Sequence, residues 1–150
     1  MARYFVFDLE GAIARARLYD EAAPVTCETL WQQLPFSGLG IHAMLSGTSV
    51  ALSIDPSIVV PQENATSHIQ AGDVMFTHYN KHECYGFPEA LSDIYWAYDR
   101  YCKPTAPGKM TPVIPNVFAE FLPGVEAFFS VCRKMRREGA KPLIITGATE

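Results

Sequence analysis

The chain has no apolar run long enough for a helix to cross a bilayer, which excludes a helical membrane protein on length alone. It has no excess of positive charge: 12 Lys and Arg stand against 16 Asp and Glu, a formal net charge of −4. Binding to a phosphate backbone needs a basic surface, so nucleic acid is not an expected partner. The four cysteines, Cys27, Cys84, Cys102 and Cys132, include no Cys-x-x-Cys pair. No disulfide framework is therefore expected, and a reducing cytoplasm is the expected compartment. The opening MARYFVFDLEG carries its acid too early, and lacks the small-residue cleavage site, for a secretory leader. Glycine-rich phosphate loops, a Gly-x-Ser-x-Gly elbow and kinase signatures are also missing.

What is present is apolar and aromatic. Hydrophobic residues make up 49% of the chain and charged residues 19%, the balance of a compact fold rather than a disordered one. A length of 150 residues suits a single domain over the whole chain. No internal repeat or linker interrupts it.

Arg3 to Asp8 is aromatic and branched, a first strand. Gly11 supplies a corner, and Ala12 to Tyr19 alternates. Small Ala14 and Ala16 with Leu18 form a face suited to close packing, opposite Ile13, Arg15 and Arg17. Pro24 stands where a helix can begin, and Cys27, Leu30, Trp31 and Leu34 follow as its apolar stripe. Strands are then expected over Leu39 to Leu45, Ser49 to Ile54, Val74 to Tyr79, Ser92 to Asp99, Val117 to Leu122 and Leu143 to Thr146. Thr66 to Gln70 reads as extended, and Ser46-Gly47 and Thr146-Gly147 read as turns. Asn80 to Ala90 is polar and should be a loop, with Cys84 the most exposed thiol. Tyr101 to Pro115 holds four prolines and reads as an exposed, mobile loop. Pro123 opens a second helix with Val125, Phe128, Phe129, Cys132 and Met135 as its stripe and Gly139 as its stop. Two helices separated by a long run of strands do not have the rhythm of a parallel sheet. They suit a closed antiparallel β-barrel with a helix at each open end, because closure removes exposed edges.

The run Gly11, Leu18, Asp20, Ala23, Pro24 and Thr26 resembles the opening of cyclophilins: strand, glycine turn, strand ending in Leu-x-Asp, then Ala-Pro-x-Thr at the first helix. The resemblance spans Met1 to about Ile54, and overall the chain is most similar to a bacterial group of uncharacterised cyclophilin-like proteins. It implies a mainly β, closed antiparallel cyclophilin-like barrel with two capping α-helices. Active cyclophilins carry Phe-His-Arg on the third strand, where the arginine polarises the rotating X-Pro amide. Here the run is Ile41-His42-Ala43-Met44, so His42 is kept and Ala43 replaces the cation. The resemblance thus implies a scaffold without prolyl isomerase activity.

The residues that could bind a ligand are His42, His78, Trp96 and Tyr98, expected to line one barrel mouth, with His82 and Glu83 brought in by the Asn80 to Ala90 loop. Against this, lone histidines usually make ordinary hydrogen bonds, and large aromatics usually just fill a barrel. His78, His82 and Glu83, with Glu63 and His68 as further donors, are also metal-capable, which keeps a metal-assisted hydrolase or isomerase as an alternative, beside a residual peptidyl-prolyl cis-trans isomerase. Nothing in their spacing forces a ligand set, so no metal site and no cofactor is assigned. Catalytic residues stay unassigned. A small molecule is the expected partner, and a homo-oligomer is compatible with the 12% aromatic content.

Overall fold

The computed structural model describes residues 1–150. The chain order is β1 (Arg3–Leu9), β2 (Ala12–Leu18), α1 (Pro24–Gln32), β3 (Phe36–His42), β4 (Gly47–Ile54), β5 (Asp73–Tyr79), β6 (Leu91–Cys102), β7 (Asn116–Phe121), α2 (Glu126–Glu138) and β8 (Lys141–Thr149). The eight strands close into an antiparallel barrel in the order β1-β2-β7-β5-β6-β4-β3-β8, as the resemblance implied. The last strand completes the ring by pairing with β1 on one side and β3 on the other.

Alternation decides what fills the barrel. Phe5, Phe7 and Leu9 of β1, Ala14, Ala16 and Leu18 of β2, and Ile94, Trp96 and Tyr98 of β6 belong to one buried core. Ala14 and Ala16 are buried with Leu18, on the inner face that their alternation indicated.

The helices close opposite ends. Phe5 stacks on Trp31 of α1, 6.4 Å between ring centroids, and the Cys27 thiol donates to the Phe118 carbonyl. At the other end Trp96 lies 5.7 Å from Phe128 of α2, and its indole N–H points at the Cys132 sulfur, 3.4 Å away. All four thiols are free and buried.

Several boundaries move. β3 starts at Phe36 and stops at His42 rather than spanning Leu39 to Leu45. β6 runs on to Cys102, past the predicted end at Asp99. α2 begins at Glu126, three residues after Pro123. Thr146-Gly147 is not a turn but the middle of β8, where Gly147 leaves room for Trp31 and Leu34 of the α1 region. Ser46-Gly47 does turn the chain. Gly47 has φ +81°, and a Cβ there would sit 1.9 Å from the Tyr101 carbonyl oxygen, so only glycine fits. Thr66 to Gln70 forms no strand; the one bridge nearby joins Ala65 to Asn116.

The Tyr101 to Pro115 segment is irregular but not the free loop its prolines suggested. Lys103 N–H donates to the Ser46 carbonyl, and Tyr85 N–H donates to that of Pro107. Ala106 and Val113 bury against Cys84, so Cys84 is sheltered (5% exposed) instead of being the most exposed thiol. Two prolines of the segment, Pro104 and Pro115, are themselves buried.

Candidate functional site

The six residues singled out from the sequence do not line one mouth. His42 and Tyr98 lie at the α2 end of the barrel and His78 at the α1 end. Ser92, the cross-strand partner of His78, is six residues from Tyr98 along β6, about 20 Å at ~3.3 Å per residue. The single-mouth grouping is corrected for this reason: alternation placed Trp96 and Tyr98 on one face of their strand but carries no information on the height of a side chain in the barrel.

At the α2 end, Tyr98 donates its hydroxyl hydrogen to His42 Nε2 (2.7 Å), because His42 Nδ1–H is given to the Ala43 carbonyl (2.9 Å). Burial holds His42 below the usual imidazole range against the opposing Ala43 bond, and the charge of Arg136 adds to the effect. Trp96 is wholly buried among Phe7, Phe121 and Phe128 and fills the core rather than offering a platform. Ala43 indeed stands just past β3, but a cation is not missing from the neighbourhood. Arg133 of α2 lies over the Tyr98 ring at 5.7 Å and bonds Asp99 at 3.4 Å. These guanidinium groups come from the helix that caps the barrel, not from β3.

At the α1 end a different arrangement appears. Ser92 donates its hydroxyl hydrogen to the Ile58 carbonyl (2.8 Å), so it accepts from His78 Nδ1–H (2.8 Å). This chain fixes the imidazole orientation and leaves Nε2 with no partner in the protein. His78 lines a cleft of about 350 Å³ between the end of β5, the 59–62 stretch and the 109–116 stretch. β5 pairs with β7 only as far as Phe76 opposite Asn116, so the Thr77–Tyr79 end of β5 borders the cleft instead of a strand. The walls are apolar at Val59, Val60, Val113 and Ile114.

Across the cleft Lys109 pairs with Glu83 at 2.9 Å, both partly buried. Glu83 Oε1 accepts from the Asn80 backbone N–H (3.0 Å) and side-chain amide (3.3 Å). These bonds, the backbone one foremost and then that of Lys109, hold the Glu83 carboxyl below the usual range. Tyr79 beside them is pushed well above the ordinary phenol range, chiefly by burial. His82 is exposed, with φ 61°, and does not border the cleft. Thus His78 and Glu83 share one site, and His42, Tyr98, Trp96 and His82 lie outside it.

The floor of the cleft is built by a buried polar network. Asn116 donates to Thr26 Oγ1 (3.0 Å) and to the Pro61 carbonyl (2.9 Å), and its Oδ1 accepts from Glu63 N–H (3.1 Å). Glu63 accepts in turn from Thr26 Oγ1–H (2.7 Å) and from the N–H groups of Val25 and Thr26 at the start of α1. Glu63 is therefore a helix cap supplied from a distant loop, not a ligand beside His78; His68 is exposed and apart. No three His, Cys, Asp or Glu side chains converge as a metal-ligand group. Sequence reasoning passed over Lys109 and Ser92. Lys109 lies in an irregular proline-rich stretch with no periodic signal, and Ser92 resembles any strand serine until its partners are known.

With this geometry in hand the chain can be set beside known proteins. A family model described as Protein of unknown function (DUF3830) matches residues 6–146. The chain belongs to that family. No curated protein matches this DUF3830 chain. Its fold is similar to that of McbB, in a structure of McbB in complex with tryptophan, with a TM-score of 0.68 and 17% identity over 95% of this chain. The DUF3830 chain spans only 44% of that McbB chain. A Mimivirus cyclophilin is similar at a TM-score of 0.55 and 11% identity, over 98% of this chain and 88% of that one. At such identities the likeness concerns the fold, and it agrees with a cyclophilin-like barrel. No helix of this family member is long and apolar enough to cross a membrane.

Proposed function

We propose that the protein binds a small molecule in the α1-end cleft and does not catalyse prolyl isomerisation. One observation carries the first part: His78 is held by the Ser92–Ile58 chain with Nε2 unpartnered, in a cleft with apolar walls and a Lys109–Glu83 pair. A few placed polar groups on an apolar wall are how small-molecule sites achieve orientation. McbB, 44% of whose chain is similar in fold, was solved as a complex with tryptophan, and a small-molecule ligand here is in keeping with that. Four free buried thiols suit a cytoplasmic protein.

A thermal-shift and NMR screen against metabolites tests the reading. The expected result is a ligand that moves the His78 and Lys109 resonances and loses at least tenfold in affinity on His78→Ala. A library without such a ligand, or one whose hits are indifferent to His78, overturns it.

The second part rests on Ala43 in place of the cyclophilin arginine. Arg133 and Arg136 are the groups an isomerase would have to use instead. A protease-coupled assay on X-Pro peptides is expected to show no turnover above background. Turnover abolished by Arg133→Ala or Arg136→Ala would establish the opposite.

A further inference from the structure

We propose that the cleft selects a zwitterion of the α-amino-acid type with an apolar side chain, an inference that rests on the small-molecule reading above. The charged side chains of the lining are one cation, Lys109, and one anion, Glu83, already paired. A ligand bearing net charge would enter a partly desolvated site without a free counter-charge, which is costly. The uncommitted hydrogen-bonding capacity is asymmetric. Glu83 Oε1 is held by Asn80 and Oε2 by Lys109, whereas an ammonium has three N–H donors and Lys109 gives one carboxylate contact. His78, with Nδ1–H committed to Ser92, leaves the Nε2 lone pair as an acceptor without a partner in the protein.

The site thus presents an ammonium donor at Lys109 and an imidazole acceptor at His78. A carboxylate answers the first and an ammonium N–H the second, with no change in net charge. Val59, Val60, Val113 and Ile114 then face the ligand's side chain. A volume of about 350 Å³ lies at the small end for ligand sites, which favours one amino acid over a peptide.

Calorimetric titration of the full chain with phenylalanine, its Nα-acetyl form, its amide and its Nα-acetyl amide tests this, repeated with the leucine series and read in parallel by NMR at His78. The free amino acid is expected to bind at least tenfold more tightly than every capped form. Lys109→Met should make the free acid and the amide equal, and Lys109→Arg should restore the difference. Equal binding of the doubly capped form, or discrimination that survives Lys109→Met, overturns the proposal. If no member of either series binds while another compound from the screen moves His78, the zwitterion assignment falls and the cleft reading stands. If nothing moves His78, both fall.

Discussion

Single residues here act through what they leave satisfied. Asn116 uses both amide hydrogens and its oxygen to join α1, the 59–63 stretch and β7. Asn116→Ala should destabilise the fold by about 1–3 kcal/mol, because buried groups lose their partners. Urea denaturation measures this. Asp93 is the reverse case. It lies on β6 opposite Ser53 and Thr77 with one hydrogen bond, from Ser53 at 3.0 Å, and no cation. Burial pushes its carboxyl up to about 6 from an ordinary 3.8, opposed by the Ser53 bond. The folded state then binds the extra proton between those values, so this group's contribution to stability declines as pH rises from about 3.8 to about 6. Asp93→Asn removes that slope. The variant should gain stability over wild type progressively through this window, with the gain constant above it. Parallel urea curves at several pH values check this, and a pH-independent difference would show that Asp93 does not titrate as described.

At the scale of elements, α1 shows how a helix can depend on a remote part of the chain. Its N-cap residue, Ala23, has no side-chain acceptor. The carboxylate of Glu63 satisfies the Val25 and Thr26 N–H groups instead, and negative charge at a helix start is favoured. Burial works against the Glu63 charge, but the bonds from Thr26 and Val25 outweigh it and hold the carboxyl below the usual range. Its support is present above the unfolded carboxyl's titration and is lost as pH falls through the lower folded value. Glu63→Ala should cost about 1–2 kcal/mol at neutral pH, as other cap removals do, and less in acid; thermal melts at two pH values read the difference. The seat of α1 on β8 is equally specific. A Cβ at Gly147 would lie 2.9 Å from both Trp31 and Leu34. Gly147→Ala should therefore cost about 1–3 kcal/mol by overpacking and disturb the Trp31 fluorescence.

The whole molecule depends on closure. β8 is held by ladders to β1 and β3, so a chain ending at residue 140 opens the ring and bares two strand edges. Such a chain should lose its cooperative unfolding transition and self-associate, as judged by denaturation and size-exclusion chromatography. The barrel also separates the two polar sites. His42 with Tyr98 lies under α2, and His78 with Lys109 and Glu83 lies beside the start of α1. Substitutions at one are expected to leave ligand binding at the other unchanged.

Composition and alternation determined much of this protein from the sequence: one apolar chain, inner faces such as Ala14, Ala16 and Leu18, and helix starts such as Pro24. These are legible because they depend on periodicity and on the backbone properties of single residues. The strand order, the height of each side chain in the barrel and the grouping of distant loops were decided only by the tertiary structure. His78, Ser92 and Ile58 become one hydrogen-bonded chain, and Lys109 meets Glu83, through closure of a ring whose register no local pattern encodes. Trp96 and Tyr98 share a face in sequence, yet one is sealed beneath α2 and the other bonds His42, because packing depends on what lies opposite.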